Sequence, residues 1–524
     1  MKVAIVGGGP SGLYLAILLM KAGGHEVTVL ERNPPDATFG WGVVFSEETL
    51  GRLRDADEPS HRAIGEAFAT WTTIDVHYRG ELLRSHGHRF SAIRRTTLLA
   101  ILQARARELG AELRFEHEVS DLPRADLVVG ADGVNSLARG TADFGTRIRR
   151  YPTRFAWFGA DFALDAFTFA FRETEHGLFQ AHAYPFDAAT STFIVEARED
   201  TWAAAGLDRA DEAQSIAFSE ALFADVLRGR RLLSNRSIWL QFAEVANGTW
   251  RAGDLVLLGD AAHTAHFSIG SGTKLAMEDS VALADALARH GDVAKAAADY
   301  ELTRKPVVER LQEAARQSAR YFEQVPRGLE PLQFAFNLIT RSGRIGHANL
   351  TMRDPRLVRA LDGWFGGAPL APPPLFAPLR LRGLELPNRV VVEARAAPAA
   401  RDGVAGRAEA EGVRVAAAGG AGLVLTRPIA VTLDGRITPD CPALHTDAAA
   451  GGWALDGARV CALLTHAGAR GATCPPSIGV DVPLARGAWP LVSASPVPYG
   501  PGLQTPAELD EQGMERVRAA FADA

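Results

Sequence analysis

Apolar and polar positions along this chain repeat with two different periods, and the places where the period changes mark its parts. KVAIV at residues 2–6 is a short continuous apolar run, which predicts a buried strand. LYLAILLMKAG, after a glycine-rich turn, has the spacing of a helix. VTVLE, ending at Glu31, predicts a second buried strand. The same alternation returns in IRRTTLLAILQARARELGAELRF, read as helix then strand, and in ADLVVGADG, a strand ending near Asp132 and Gly133. It returns again in GDLVLLGD, a strand ending at Asp260 with the helix TKLAMEDSVALADALARH beyond it. Between the last two strands, AFTFAFR, LFQAHAY and TFIVEA switch to a period of two. Joined by TEHG and FDAAT, they predict an antiparallel meander. The fold class is therefore α/β: a Rossmann-like nucleotide domain carrying an antiparallel sheet within about residues 150–240.

The pattern breaks in GGAPLAPPPLFAP, read as a semi-rigid proline-rich linker over 366–374. The expected division is residues 1–365, the linker, and a separate unit over 375–524. A length of 524 residues agrees, because single cores rarely grow past about 250–300 residues. Hydrophobic content of 47% with 23% charged residues fits a folded globular chain, and a net charge of −6 argues against nucleic acid as a partner. Cys441, Cys461 and Cys474 form no CxxC pair, so free thiols are expected, with neither disulfides nor a metal site. The apolar N-terminal run is broken by glycine and proline, and no other run is long enough to span a bilayer. A cytoplasmic protein without membrane contact is expected.

Gly7-Gly8-Gly9-Pro10-Ser11-Gly12 joins the first strand to the first helix, and Glu31 follows at the end of the next strand, about 20 residues on. Gly7 allows the tight turn, Gly9 the approach of a pyrophosphate, and Gly12 close packing of helix on strand. The helix N-terminus presents unsatisfied N–H groups to the phosphates, and Glu31 can accept from a ribose. Ser11 and Arg32 complete this part of the expected cofactor set. Arg95, where the IRRTTLL helix begins, is either a cation for the dinucleotide or a solvated residue at the helix start. Ser136 and Arg139 follow Asp132 at the spacing DGxxSxxR. The Gly259-Asp260 turn is followed by Ile269-Gly270-Ser271-Gly272, where backbone can pass close to a planar ring before a helix directs its positive end at it.

GxGxxG at Gly7 to Gly12, DGxxSxxR at Asp132 to Arg139 and the Gly259-Asp260 pair resemble, in order, the signatures of single-component flavoprotein aromatic hydroxylases of the para-hydroxybenzoate hydroxylase fold. More narrowly, FGWGVVFSEETL, the meander, GDAAHTAHFSIGSGTKLAMED and FAFNLITRSGRIGHANLTMRDP look like the salicylyl-CoA 5-hydroxylase and 2-aminobenzoyl-CoA monooxygenase/reductase group, over residues 1 to about 355. The resemblance implies FAD, with Asp260 on its ribityl hydroxyls, NADH or NADPH as reductant, and insertion of one oxygen atom into an electron-rich ring. It implies an aromatic substrate, with an aryl-CoA thioester expected first and a carrier-bound or free aromatic or indole metabolite as the alternative. A non-catalytic flavin-binding scaffold is the reading from another class, and a homodimer is left open. The meander would roof the substrate. His182 and Tyr184 share one strand face and are read either as a packed pair or as pocket residues. His266 is a candidate for contact near the ring or a structural histidine, His263 a brace for its turn, and His176 a solvated turn residue. Arg147, Arg149 and Arg150 are read as a solvated basic edge or as contacts for CoA phosphates. LFAPLRLRGLELPNRVVV, AAAGGAGLVLTRPIAVTLDGRITPDCPAL and LLTHAGARGAT resemble opening segments of old yellow enzyme, a TIM barrel of about 250 residues. Only a partial barrel is expected here. Leu463 stands in place of a flavin-contacting glutamine and Ala394-Arg395 in place of Pro-Met. FMN is not expected, and His466 and Arg470 would be relics.

Overall fold

The computed structural model describes residues 1–38, 40–45, 47–395, 399–451, 453 and 459–524. Phe39 and Ser46 of the FGWGVVFSEETL stretch lie outside the described residues. The chain divides into two compact units, Met1–Leu361 and Asp362–Ala524. Among the described residues no helix is long and apolar enough to cross a membrane.

In the first unit, Lys2–Val6 is the centre of a six-stranded nucleotide sheet. Its order is Arg251–Ala252, Leu255–Leu257, Leu127–Gly130, Lys2–Val6, Glu26–Leu30 and Glu112–Arg114, parallel except for the first pair. Strands buried on both faces need helices above and below, hence their unbroken apolar runs. The helix Pro10–Ala22 is buried along most of its length and packs against the long helix Gly272–His290. The three predicted motifs therefore end on three adjacent strands, Lys2–Val6, Leu127–Gly130 and Leu255–Leu257, at the same edge of one sheet.

The second sheet, here called the roof, has eight strands. The predicted meander is its core: Phe167–Thr174, Gly177–Pro185 and Ser191–Arg198 pair antiparallel. The 14-residue strand Arg147–Ala160 joins one side, and the hairpin Ile74–Tyr78 and Glu81–Ser85 joins the other, its first strand parallel to Phe167–Thr174. Strand parity then sorts the residues. Ala156, Phe158, Ala181, Ala183, Phe193 and Val195 face one core with Phe223 and Val226. His182, Tyr184, Glu196, Phe169 and Trp157 face the other way. A small third sheet, Gly42–Phe45, Phe90–Arg94 and Ala69–Trp71, contributes Trp71, which stacks on Tyr184 with ring centroids 6.1 Å apart.

In the second unit Val391–Glu393, Leu423–Ala430 and Val460–Thr465 form three adjacent parallel strands, with the helix Arg407–Ala418 between the first two. The first two strands and this helix make one βαβ unit.

Candidate active site

Sterics at the first turn explain its glycines. At Gly7 φ is +112°, and a Cβ would stand 2.2 Å from the Ala131 carbonyl oxygen. One on Gly12 would stand 2.1 Å from the Gly7 carbonyl oxygen. Gly9 differs, because nothing lies within 4 Å of where its Cβ would be. The crowded pair lets strand, turn and helix close up, and the open one leaves room for a ligand over the helix start. Gly9 caps that helix without a side-chain acceptor, so the first N–H groups await one. Glu31 braces the turn: its Oε2 accepts from Gly8 N at 2.8 Å and its Oε1 from Asn33 N and Nδ2 at 2.8 and 2.7 Å. Arg32 is exposed beside it. Ser11 is buried and its carbonyl accepts from Ser280 Oγ at 2.8 Å.

The second motif supports the third. Both Asp132 oxygens are engaged within the motif, Oδ1 by Ser136 Oγ and Oδ2 by Leu137 N and Ala138 N at 2.7 and 3.1 Å. Ser136 in turn caps the short helix Leu137–Gly140, its Oγ accepting from Arg139 N at 2.9 Å. Arg139, nearly buried, donates to Ala261 O at 3.0 Å and so ties this loop to the Gly259-Asp260 turn. From below, Asp279 accepts from Gly259 N at 3.3 Å, lies 2.7 Å from His263 Nε2 and accepts from Arg304 Nε at 2.6 Å. Asp279 and Arg304 form a buried ion pair, and His263 is the brace of the turn. The carboxylate that remains is Asp260. Its side chain is exposed, yet burial among surrounding atoms raises its carboxyl above the ordinary range, with His263 and Arg95 pulling the other way. A side chain open to solvent yet closely surrounded by protein atoms lies in a hollow of the surface. Arg95 shares that hollow: Asp260 and Tyr184 favour its charge against the burial that opposes it, and its Nε has no partner. Gly270, at φ +59° and exposed, and Gly272, the first residue of the Gly272–His290 helix, end the loop that leads from Asp260 into that helix.

The roof meets this loop at Phe267, which packs on Phe155 and His182, and presents Trp157, Ile194, His182 and Phe169 in one row across four paired strands, with Gly159, Thr192, Tyr184 and Phe167 in the next. His182 and Tyr184 thus point to one face. Tyr184 OH donates to Gly42 O at 3.0 Å, and burial pushes its hydroxyl pKa up to about 12. His182 is enclosed by Phe169, Phe267 and Phe322. His266 lies deeper than expected for a residue touching a ligand. Its ring is packed between Tyr151, Phe242 and Phe267, and burial lowers its pKa to about 4, so it is a neutral residue of the roof contact. His176 is exposed in its turn, as are Arg147, Arg149 and Arg150 on the long strand.

Residue-by-residue reading missed Glu196, Trp41, Trp71, Trp157 and Arg341. For Glu196 a signal existed: in TFIVEA it shares parity with Thr192 and Ile194, so the alternation placed a carboxylate on an inward face. Trp41 and Trp71 gave none, because only tertiary contact with Gly159 and Tyr184 brings them here.

The hollow fits an adenine dinucleotide with a planar ring. It offers an uncapped helix start under an open glycine, an unpartnered guanidinium nitrogen and an exposed carboxylate, with a second helix start at the end of a loop that packs on the aromatic roof. Fold and site together define a flavoprotein of the aromatic-hydroxylase class. The chain belongs to the FAD binding domain family, whose model matches residues 1–124 and 121–315, and it is an FAD-dependent aromatic monooxygenase. It is 44% identical over 410 residues to salicyloyl-CoA 5-hydroxylase of a Streptomyces species, covering 75% of this chain and 79% of that one. It is 40% identical over 355 residues to 3-hydroxy-4-methyl-anthranilyl-[aryl-carrier protein] 5-monooxygenase of Streptosporangium sibiricum, covering 67% and 97%. The fold is shared with 2-methyl-3-hydroxypyridine-5-carboxylic acid oxygenase at a TM-score of 0.55 and 17% identity, covering 67% of this chain and 98% of that one.

Proposed function

We propose that this monooxygenase hydroxylates the ring of an aromatic acyl group carried as a thioester, with salicyloyl-CoA first and 2-aminobenzoyl-CoA second. The observation that carries this reading is that two relatives at 44% and 40% identity are both named for thioester-bound aromatic acyl groups, one on CoA and one on a carrier protein.

Bound FAD supplies reduction by NADH or NADPH and transfer of one atom of dioxygen. The polypeptide binds, orients and excludes water. Gly7, Gly9, Ser11 and Gly12 form the pyrophosphate turn, with Glu31 at the adenosine ribose and Arg32 beside it. Arg95 and Asp260 serve the phosphate and ribityl portions, Asp132 and Gly259 shape the turns, and Gly270 and Gly272 back the ring. Trp157, Ile194, Phe169 and Tyr184 would close the roof over the substrate ring and keep water out. His182, paired to Glu196, is the roof's candidate for holding a proton near that ring. Tyr184 fixes the Gly42 strand rather than exchanging a proton, because its hydroxyl is committed to the Gly42 carbonyl.

The boundaries 1–365, 366–374 and 375–524 form part of the same reading, with part of a barrel in the last segment and FMN not expected there. Three parallel strands support the barrel-like part. The test is a turnover screen of the purified holoenzyme with salicylate, 2-aminobenzoate and their CoA thioesters, following NAD(P)H oxidation and an added oxygen atom by mass. Oxygenation of the thioesters alone is expected. Oxygenation of the free acids or of indoles alone would replace this reading.

A further inference from the structure

FAFNLITRSGRIGHANL lies outside every nucleotide motif, and Arg341 at its centre caps the helix Pro331–Thr340. The guanidinium sits over two aromatic rings, 5.1 Å from the Phe169 centroid and 4.9 Å from that of Phe322. Its Nη2 donates to Ser268 O at 2.8 Å, Nη1 to Leu338 O at 2.7 Å and Nε to Ser318 Oγ at 3.0 Å. One planar group thus joins the roof, two helices and the loop that runs into Ile269 and Gly270.

All three acceptors are neutral. Among the described residues no carboxylate lies within ion-pair distance of Arg341. Burial lowers its pKa to about 10, with only Tyr321 opposing, so it stays charged at neutral pH. His266, on the same loop, is held neutral in part by this charge. A cation withdrawn from water ordinarily brings its anion with it, because an uncompensated buried charge is costly. The contrast is nearby: Arg304, more deeply enclosed than the half-buried Arg341, is paired to both Asp279 and Glu278. A methionine in the same aromatic slot would fill the space at lower electrostatic cost. What the guanidinium does visibly is bond the Ser268 carbonyl, next to Ile269 and Gly270, while keeping its charge uncompensated.

We propose that Arg341 is a positioning residue of the flavin site, fixing the Ser268–Gly270 segment against the roof and adding a permanent positive charge behind it that favours the anionic, reduced ring. The proposal rests on the assignment of that segment to the flavin ring made above. The start of the Gly272–His290 helix contributes roughly half a positive charge. Arg341 adds a full one through aromatic surroundings that screen it poorly.

Holoenzymes of wild type, Arg341→Lys and Arg341→Met are compared for two-electron midpoint potential and for affinity for sulfite, which adds to the oxidised ring and leaves an anion there. The charge-free variant is expected to lower the reduced-to-oxidised ratio at a given potential roughly tenfold, ~30 mV for a two-electron couple, and to weaken sulfite binding by a similar factor. Lysine, which keeps the charge but loses the planar three-way bonding, is expected to recover most of both shifts. If Arg341→Met does not fold, Arg341→Gln, which keeps an N–H donor without charge, takes its place with the same expectation. A charge-free holoenzyme within twofold of wild type on both measures overturns the proposal, and so does a lysine variant shifted as far as the charge-free one. Wild-type protein that takes up no FAD overturns the reading of the hollow as well, so the two failures are distinguishable.

Discussion

His182 Nε2 stands 3.1 Å from Glu196 Oε2 on neighbouring roof strands, with the two side chains 3% and 1% exposed. Neither Glu196 oxygen has an aligned hydrogen-bond partner, so the contact is one of close approach between two buried polar groups. Burial alone would raise the Glu196 carboxyl. The close approach of His182, with His266 and Thr153 nearby, outweighs it and holds the group below its ordinary 4.5. A depressed carboxylate contributes stability above that ordinary value and loses it as pH falls through the folded-state value. Glu196→Gln is therefore expected to cost about 3 kcal/mol at pH 7. It should also flatten the fall in melting temperature below about pH 4.5 relative to wild type, as read by thermal unfolding across pH. Parallel curves for the two proteins would refute the pairing.

His266 behaves in the same sense for a different reason. Its pKa drops from 6.5 to about 4 because the ring is buried as the neutral form. The unfolded chain binds the extra proton between these values, so wild-type stability falls as pH goes from about 6.5 to 4. His266→Phe keeps the stacking on Tyr151 and Phe267 and removes the proton site. Denaturant midpoints at pH 7 and pH 5 should lie closer together in the variant. An unchanged gap would show that another group carries the acid sensitivity.

Gly7 and Gly9 separate folding from cofactor binding. A side chain at Gly7 meets the Ala131 carbonyl in a strained backbone conformation, whereas one at Gly9 meets open space. Gly9→Val should give apoprotein that melts with wild-type apoprotein but binds FAD at least about a hundredfold more weakly. It would thereby lose the roughly 2.7 kcal/mol that ligand at a hundred times its dissociation constant confers. Gly7→Val should fail in the apoprotein already. Equal FAD titrations for Gly9→Val and wild type would move the phosphates elsewhere.

Asp279 is predicted to matter to both. Asp279→Asn leaves Arg304 with Glu278 alone and removes the charge facing His263. A loss of about 3–5 kcal/mol on chemical unfolding is expected, together with weaker FAD binding, because Gly259 N loses a charged acceptor. A variant as stable as wild type would show that Glu278 suffices for Arg304.

Much of this site could be read from the chain because its parts are local. A glycine turn between strand and helix, an aspartate ending a strand and the period of a meander each depend on neighbours within about twenty residues, where backbone sterics and parity decide the outcome. Glu31, Asp260 and the shared face of His182 and Tyr184 belong to this group. The rest depends on contacts across hundreds of residues. Trp41 on Gly159, Trp71 on Tyr184 and Arg341 on Ser268 have no local pattern. The depth of His266 also escaped, because the side on which a loop histidine is buried is set by Tyr151 and Phe242, far along the chain.

The nucleotide sheet places Leu127–Gly130 between Lys2–Val6 and Leu255–Leu257. During synthesis the first strand can meet Glu26–Leu30 early, but its other edge waits for residue 127 and the flavin hollow for Asp260. At about 5–20 residues per second, the nascent chain carries an apolar, half-paired strand for many seconds before any cofactor could seal it. Supply of FAD during translation can act only after the ribosome has passed Asp260. Before then, keeping the young polypeptide soluble falls to whatever shields that open edge.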